Sequence, residues 1–354
     1  MCRPGVLCAS LPAPRRRPTR RLSTSAELST GAWCRPVGAR SWGGTLGRVE
    51  PLLHRAVDLR AAGYGEDDVR RLVRGGVLVQ VRRGAYVERE RAPDDGAARH
   101  ALLLQAALAE LGACAVASHV SAAVLHGLPT WGIPLDRAHV TFDRPSGGRL
   151  DARVHVHTAP LHGDDVVMVD GMAATSVART VVDVARRMSF EAAVAVADAA
   201  LRSAGRSEAD IAACRAQLEA ATRRAKGWPG VPAARQVLAF ADGRSESVGE
   251  SRSRFAVARA GLPTPALQLP VRLGGATAYC DFGWPAQRTV GEFDGKVKYG
   301  RLLRPGQEPG DVVYAEKLRE DAIRAEDWEV VRWTWADLRN FDATAARIRE
   351  RFRT

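Results

Sequence analysis

Residues 281–295, DFGWPAQRTVGEFDG, decide the fold of this chain. They predict two β-strands joined by a tight turn at Ala286-Gln287, in a register that places Asp281 directly opposite Glu292. Because side chains alternate along a strand, both carboxylates would project from one face of the sheet, with Cβ atoms about 5 Å apart. Their repulsion would be roughly 4 kcal/mol at about 4 Å and an effective dielectric constant of about 20. A proton, a basic side chain or a divalent cation must therefore offset the repulsion between the two carboxylates.

Two interpretations of this acid pair stay open. Mg²⁺ takes one or two carboxylates and completes its shell with water and phosphate oxygens, so the pair indicates a site that handles a phosphodiester. The alternative is a cross-strand acid pair that a nearby Lys or Arg neutralises. The sequence around the hairpin favours the first interpretation.

The elements predicted around the hairpin follow a definite order: a helix, three antiparallel strands, a second helix, a fourth strand and a short final helix. The first helix opens at Ser247 and runs to about Ala260, where Gly261-Leu262-Pro263 ends it, since Gly and Pro stop helices. The remaining elements are predicted at residues 267–272, 276–282, 288–293, 312–325, 328–333 and 344–351.

This order resembles the PD-(D/E)XK nuclease superfamily, in its Vsr-like (very-short-patch-repair-like) branch, over residues 244–354. The resemblance rests on Glu250 in the first helix, Asp281, the tetrapeptide Glu292-Phe293-Asp294-Gly295 and residues 316–321. It implies a restriction-endonuclease-like αβββαβ domain in which Asp281 and Glu292 hold Mg²⁺ and Glu250 is a third, outer ligand. The metal would act as a Lewis acid and lower the pKa of a water that attacks the scissile phosphate.

The chain departs from the family's motif at one position. A lysine that stabilises developing charge should stand two residues after Glu292, where this chain has Asp294. Lys296, Lys298 and Lys317 are the candidates to take its place, and Lys296 completes the predicted catalytic set. Nuclease activity therefore depends on whether one of these lysines serves the site.

A second module is predicted near the start of the chain. Glu66-Asp67-Asp68 suit the start of a helix, whose positive dipole end attracts acids, and Gly75-Gly76 end that helix. Helices at 51–62 and 69–74 and strands at 77–81 and 85–87 give the outline of a winged helix-turn-helix. Basic side chains of the second helix and the wing would contact the DNA backbone: Arg70, Arg71, Arg74, Arg82 and Arg83.

This module resembles the N-terminal domain of AbiEi-type antitoxins (type IV toxin–antitoxin systems). The residues that carry the resemblance are Arg70-Arg71-Leu72-Val73-Arg74-Gly75-Gly76 and Arg82-Arg83-Gly84-Ala85-Tyr86. It implies binding to the promoter of the protein's own operon and a cognate toxin as a protein partner. An Ala-rich helical run over residues 174–225 resembles the C-terminal part of the same family, where toxin antagonism is placed. The alternative is a small α/β adaptor whose arginines are simply solvated.

The middle region, residues 93–243, is predicted as a mixed α/β domain. Ser118 is predicted to cap a helix that carries His119 and His126 on one face, and these are interpreted as histidines at the edge of the core. Further elements are predicted as helices at 97–111 and 233–240 and strands at 113–117, 138–142, 153–157 and 166–169.

Histidines on one strand of this region suggest a metal site. His155 and His157 share a strand face, and His139 or His162 would supply a further ligand. Because no cysteine or spaced carboxylate accompanies them, the sequence favours exposed polar side chains on a strand instead.

The positive charge of the chain is concentrated at its start. The 354 residues carry a net charge of +12, and residues 1–48 hold nine arginines against one acid, Glu27. This Arg- and Pro-rich leader has the composition of disorder. We interpret it as translated sequence ahead of a true start near Val49, with a transit peptide as the alternative. The predicted divisions are thus the leader, a DNA-binding module at 49–92, the middle domain and the nuclease-like domain.

Composition also bounds the cellular setting. The six cysteines show no C-x-x-C spacing, which predicts a reduced, cytoplasmic protein. No apolar run approaches the roughly 20 residues that a membrane span needs, so no membrane partner is expected.

Three functional hypotheses follow from these patterns. The first is a DNA-binding regulator of the antitoxin kind whose nuclease-like domain contributes binding. The second is a Mg²⁺-dependent DNA endonuclease that the winged helix directs to its site. The third is a defence-associated scaffold that binds a partner toxin.

Overall fold

The computed structural model describes residues 53–205, 207–295 and 309–352. The predicted leader, residues 1–48, and the lysines Lys296 and Lys298 lie outside these residues. Within them the chain is a mixed α/β protein with three sheets and eleven helices. It divides into two compact units, with the boundary between Thr180 and Val181. The predicted domain boundaries after residues 48, 92 and 243 stay predictions.

The first unit begins with a small sheet and two helices. Strand order in the sheet is β1-β3-β2, all antiparallel, and Leu59, Tyr64, Val69 and Leu78 form the core beneath it. The second helix starts at Glu66, three residues earlier than predicted, because the Asp68 carboxylate accepts a hydrogen bond from the Gly65 N–H at 2.9 Å. The elements are β1 (His54–Arg55), α1 (Ala56–Ala61), α2 (Glu66–Arg74), β2 (Leu78–Arg82) and β3 (Ala85–Glu88).

A six-stranded mixed sheet follows in the same unit, with strand order β6-β7-β5-β4-β9-β8. The neighbouring strands β5 and β7 are parallel, with His139 beside His155 and Thr141 beside His157. The elements are α3 (Gly96–Leu111), β4 (Val116–Ala117), α4 (His119–Leu125), β5 (Ala138–Phe142), β6 (Arg149–Leu150), β7 (Val154–Thr158), β8 (Val166–Val169) and β9 (Met172–Thr175). The next helix, α5 (Val177–Ala185), contains the boundary between the two units.

Two predictions in this sheet were wrong in detail. The helical run predicted from residue 174 begins instead as a strand, because Ala174 and Thr175 pair with β8. The Ser118 side chain makes no cap hydrogen bond to α4, although Ser118 does precede the helix. Its hydroxyl instead accepts a hydrogen bond from the Thr141 hydroxyl at 2.8 Å.

The second unit holds a four-stranded sheet in the order β10-β11-β12-β13. The first three strands are antiparallel, and β13 is parallel to β12, with α10 between them in sequence. The large side chains Phe282, Trp284 and Trp333 are fully buried in its core. The elements are α6 (Phe190–Ser203), α7 (Glu208–Arg224), α8 (Val231–Phe240), α9 (Val248–Arg259), β10 (Ala266–Leu273), β11 (Ala276–Trp284), β12 (Thr289–Asp294), α10 (Pro309–Ala325), β13 (Glu329–Thr334) and α11 (Asp342–Arg351).

The hairpin β11–β12 has the predicted register. Phe282 pairs with Gly291 and Trp284 pairs with Thr289, so the same alignment places Asp281 opposite Glu292 one step further along. The turn is a short 3₁₀ segment, Pro285–Gln287, followed by Arg288 at φ +50°. The αβββαβ order that the sequence predicts for this region is therefore present as α9, β10, β11, β12, α10 and β13.

No helix among the described residues is both long and apolar enough to span a membrane.

Candidate functional site

Glu250 lies at the start of α9, where the helix cap holds it. The Ser247 hydroxyl accepts from the Glu250 N–H at 3.2 Å, and the Glu250 carboxylate accepts from the Glu246 N–H and the Ser247 hydroxyl, both at 2.8 Å. The Gln268 amide donates to the same carboxylate at 3.2 Å. Burial, together with the negative charge of Asp281, raises the pKa of Glu250 to about 7. This carboxyl group is therefore poised to change charge near neutral pH.

Asp281 connects the two strands of the hairpin. Its carboxylate accepts a hydrogen bond from the Phe293 N–H of β12 at 2.9 Å. Burial is the largest cause that raises the pKa of Glu250 and of Glu292, and the negative charge of Asp281 raises both as well. The three predicted metal ligands, from α9, β11 and β12, thus share one electrostatic neighbourhood.

Glu292 is bound by two arginines. Its carboxylate oxygens lie 2.8 Å from an Arg319 nitrogen on α10 and 3.0 Å from an Arg332 nitrogen on β13. Arg332 also pairs with Glu316 at 2.6 Å and with Glu320 at 2.8 Å. Burial raises the pKa of Glu292, while both guanidinium groups oppose that rise. At this position basic side chains neutralise the acid, as in the second of the two interpretations of the hairpin.

The fit of a hard cation differs among the three acids. Within the described part of the chain, Glu250, Asp281 and Glu292 do not bring one oxygen each within 4.8 Å of one another. Glu250 and Asp281 suit a cation better, because a bound positive charge would offset both the burial and the repulsion from Asp281 that raise the pKa of Glu250. Glu292 would first have to release an arginine.

The five arginines predicted to contact DNA fall into three groups. Arg70 pairs with Glu66 and Asp67 of its own helix, and Arg71 pairs with Asp68. The Arg82 side chain is 10% exposed and binds Glu110 of α3 at 2.9 Å. Arg74 and Arg83 are exposed, and neither forms an ion pair within the part of the chain that the structure describes. These two guanidinium groups are the most accessible of the predicted set.

Four histidines meet on the six-stranded sheet. His119 opens α4, His139 lies on β5, and His155 and His157 lie on β7. His157 Nε2 lies 3.1 Å from His139 Nδ1. The His157 ring stacks on the rings of His119 and His155, with centroids 3.8 Å apart in each pair. Burial, together with the nearby His155, lowers the pKa of His139 to about 4, so His139 is neutral at pH 7.

The sequence identified part of this cluster. The alternation of His155 and His157 along a strand predicts that they share one face, with His139 or His162 as a further ligand. His139 does lie beside them, whereas the exposed His162 is not part of the group. His119, interpreted as a histidine at the core edge, is a member that the sequence missed. His119 is the first residue of α4, and it meets His139 of β5 and His157 of β7 only through tertiary packing, which leaves no pattern in the sequence.

Comparison with known proteins places the chain among mycobacterial relatives. No protein-family model matches it. The uncharacterized proteins MT2308 (Mycobacterium tuberculosis strain CDC 1551 / Oshkosh) and Rv2248 (strain ATCC 25618 / H37Rv) are each 35% identical to it over 225 residues, which is 63% of this chain and 75% of each relative. The crystal structure of the RV2827C protein from Mycobacterium tuberculosis matches 62% of this chain and 83% of its own, at 19% identity and a TM-score of 0.34. The chain belongs to the same family as MT2308 and Rv2248.

Proposed function

We propose that this protein is a DNA-binding regulator resembling AbiEi-type antitoxins, with a restriction-endonuclease-like C-terminal domain and a cognate toxin as its protein partner. The observation that carries the proposal is the module formed by α1, α2 and the β2–β3 hairpin. It presents Arg74 at the end of α2 and Arg83 at the hairpin turn, both exposed. A helix pair followed by a basic hairpin is suited to hold a duplex by its phosphates.

The charge along α2 indicates how the module would meet DNA. Its first turn carries Glu66, Asp67 and Asp68, which repel phosphate, and its last turn carries Arg71 and Arg74. The basic end would therefore approach the backbone. Carboxylates can accept a hydrogen bond from the cytosine amino group, so the acidic end is better suited to base edges in the major groove.

The ion pairs on α2 do not oppose this proposal. Arg70 and its partners Glu66 and Asp67 are at least 66% exposed, and exposed pairs contribute only about 0–1 kcal/mol. Arg70 can exchange a carboxylate for a phosphate at small cost. Arg82 makes its pair on a nearly buried side chain, so we assign the wing contact to Arg83.

The variant Arg74→Ala/Arg83→Ala is expected to weaken DNA binding and to flatten its salt dependence. Each lost phosphate contact removes about 0.9 from the slope of log K against log salt, so the slope should fall by about 2. Fluorescence anisotropy with a duplex from upstream of the protein's own gene measures both quantities. A scrambled duplex separates sequence preference, which a regulator requires, from charge attraction alone.

The matched control is Arg223→Ala/Arg235→Ala, which removes two exposed arginines from α7 and α8. It changes the net charge equally and should leave the slope within experimental error. Equal losses in the two double variants would mean that net charge, and not the module, drives binding.

A second candidate function is a Mg²⁺-dependent DNA endonuclease. The observation that favours it is the shared electrostatic neighbourhood of Glu250, Asp281 and Glu292 on the αβββαβ frame. These three side chains would hold the metal, which supplies Lewis-acid chemistry and acidifies a bound water. Arg319 and Arg332, which bind Glu292 here, would then be free to hold the phosphate by bidentate contacts.

Under this candidate function, Asp281→Ala is expected to abolish nicking of supercoiled plasmid in the presence of Mg²⁺ or Mn²⁺, with a loss of at least about 100-fold. The carboxylate also accepts from the Phe293 N–H, so thermal melting must show that the variant folds. Asp321→Ala, which removes an exposed acid of α10, should cut like the wild type. If the wild type cuts with neither metal, the second function is excluded and DNA binding alone remains.

A further inference from the structure

Three histidines of the first unit bring their ring nitrogens close together. His119, His139 and His157 each offer one ring nitrogen, and the three atoms all lie within 4.8 Å of one another. They come from three different elements, α4, β5 and β7, so the fold and not the local sequence assembles them. His119 is buried, and the other two are half-buried.

The distance between one nitrogen of His157 and one of His139 is close to that between two ligands of the same metal ion. His157 Nε2 and His139 Nδ1 lie 3.1 Å apart. In a tetrahedral zinc site with Zn–N bonds of about 2.0–2.1 Å, two ligand nitrogens lie about 3.3 Å apart. A small outward movement of either ring would therefore admit an ion.

A neighbouring side chain contacts the ring of His119, and a second one holds the backbone of His139. His119 Nδ1 lies 3.0 Å from the Ser118 hydroxyl, which in turn accepts a hydrogen bond from the Thr141 hydroxyl. The backbone N–H of His139 donates to the Ser121 hydroxyl at 2.7 Å, which fixes the main chain that carries this ring. The contact of Ser118 with a ring nitrogen of His119 is of the kind that orients metal-binding imidazoles.

The backbone at His119 supports a functional constraint. His119 adopts φ +51°, in the left-handed region that a residue other than glycine rarely occupies. Such strain persists where the surrounding structure enforces it, and it concentrates at ligand sites. Here it places the ring of His119 against that of His157.

We propose that His119, His139 and His157 form a binding site for Zn²⁺. Imidazole suits zinc and its neighbours in the transition series, whereas Mg²⁺ prefers oxygen ligands, and the triad contains no carboxylate. Three protein ligands leave a fourth position for water or a small anion. The triad belongs to the first unit and shares no residue with the acidic group of the second, so it does not depend on the proposed function.

The test is calorimetric titration of metal-free, tag-free protein with zinc chloride alone. One ion per chain is expected to bind the wild type, and His139→Gln and His157→Gln are each expected to weaken binding by at least about 100-fold. Magnesium chloride under the same conditions should produce no binding at the triad. Zinc should also raise the melting temperature of the wild type and not that of His157→Gln.

Two controls separate the triad from general histidine binding. His155→Gln removes the neighbour of His157 on the same strand face, and His162→Gln removes an exposed histidine nearby in sequence. Both should bind one zinc ion as the wild type does. A loss in either control equal to that of His157→Gln would overturn the assignment.

Cobalt substitution keeps the proposal testable even where a variant fails to fold. Co²⁺ added to the wild-type protein should give the visible absorption of a four-coordinate site with nitrogen ligands, saturating at one ion per chain. An octahedral spectrum without saturation would show that the histidines do not coordinate metal.

Discussion

Arg254→Ala is expected to lower the free energy of unfolding of the second unit by about 3–5 kcal/mol. Arg254 on α9 lies 2.7 Å from the Asp198 carboxylate of α6, with side chains 9% and 1% exposed. The same guanidinium donates to the Phe240 carbonyl and to the Ser245 hydroxyl. Without it, Asp198 keeps a buried charge, or takes up a proton, with no arginine beside it. The melting temperature should fall by roughly 6–20 °C, since about 2–4 °C per kcal/mol is usual at this size.

Scanning calorimetry measures this loss of stability. Two further variants show whether it comes from the buried ion pair. Arg254→Met/Asp198→Leu should recover most of the stability, because it removes both desolvated charges and keeps apolar volume. Arg223→Ala breaks a pair with Glu219 in which both side chains are about two-thirds exposed, and should cost less than about 0.5 kcal/mol. Similar small losses for Arg254→Ala and Arg223→Ala would show that burial adds nothing to the Arg254–Asp198 pair.

Helices and strands that begin and end at clear capping or turn residues could be predicted from the sequence to within about two residues. The helix predicted from Ser247 to about Ala260 is Val248–Arg259, and the strand predicted at 276–282 is Ala276–Trp284. Ser247 caps the helix and Gly261 ends it at φ +67°, a conformation that glycine adopts without strain. Local signals of this kind act over a few residues, so a single sequence is enough to find them.

Charge partners could not be predicted in the same way. Glu292 was identified as a site residue, but Arg319 and Arg332 reach it from α10 and β13, which the strand pairing brings together. Arg82 was expected at the wing, yet a β-bulge between Gln80 and Arg82 shifts the pairing of β2 with β3. A bulge re-aims the following side chain, and Arg82 meets Glu110. Neither effect leaves a pattern in the sequence.

Glu250→Gln is expected to stabilise the second unit at about pH 8 by roughly 3 kcal/mol and to change its stability little at about pH 4. The folded-state pKa of Glu250, about 7, lies above the ordinary value of 4.5. The folded protein therefore retains a proton that the unfolded chain releases. That contribution is fully present below pH 4.5 and is lost as the pH rises through about 7. Glutamine accepts from the Glu246 N–H and never ionises.

Urea denaturation of wild type and variant across this pH range measures the difference. Glu326→Gln, at an exposed position, should show no pH-dependent difference from the wild type. An advantage of Glu250→Gln that is the same at every pH would mean that its source is not the buried charge. The experiment also tests the second candidate function, because a cation held by Glu250 and Asp281 favours the ionised form of Glu250. Mg²⁺ at about pH 8 would then restore stability to the wild type and not to Glu250→Gln. If Mg²⁺ leaves both unchanged, the acidic group holds no metal and the domain is restricted to binding.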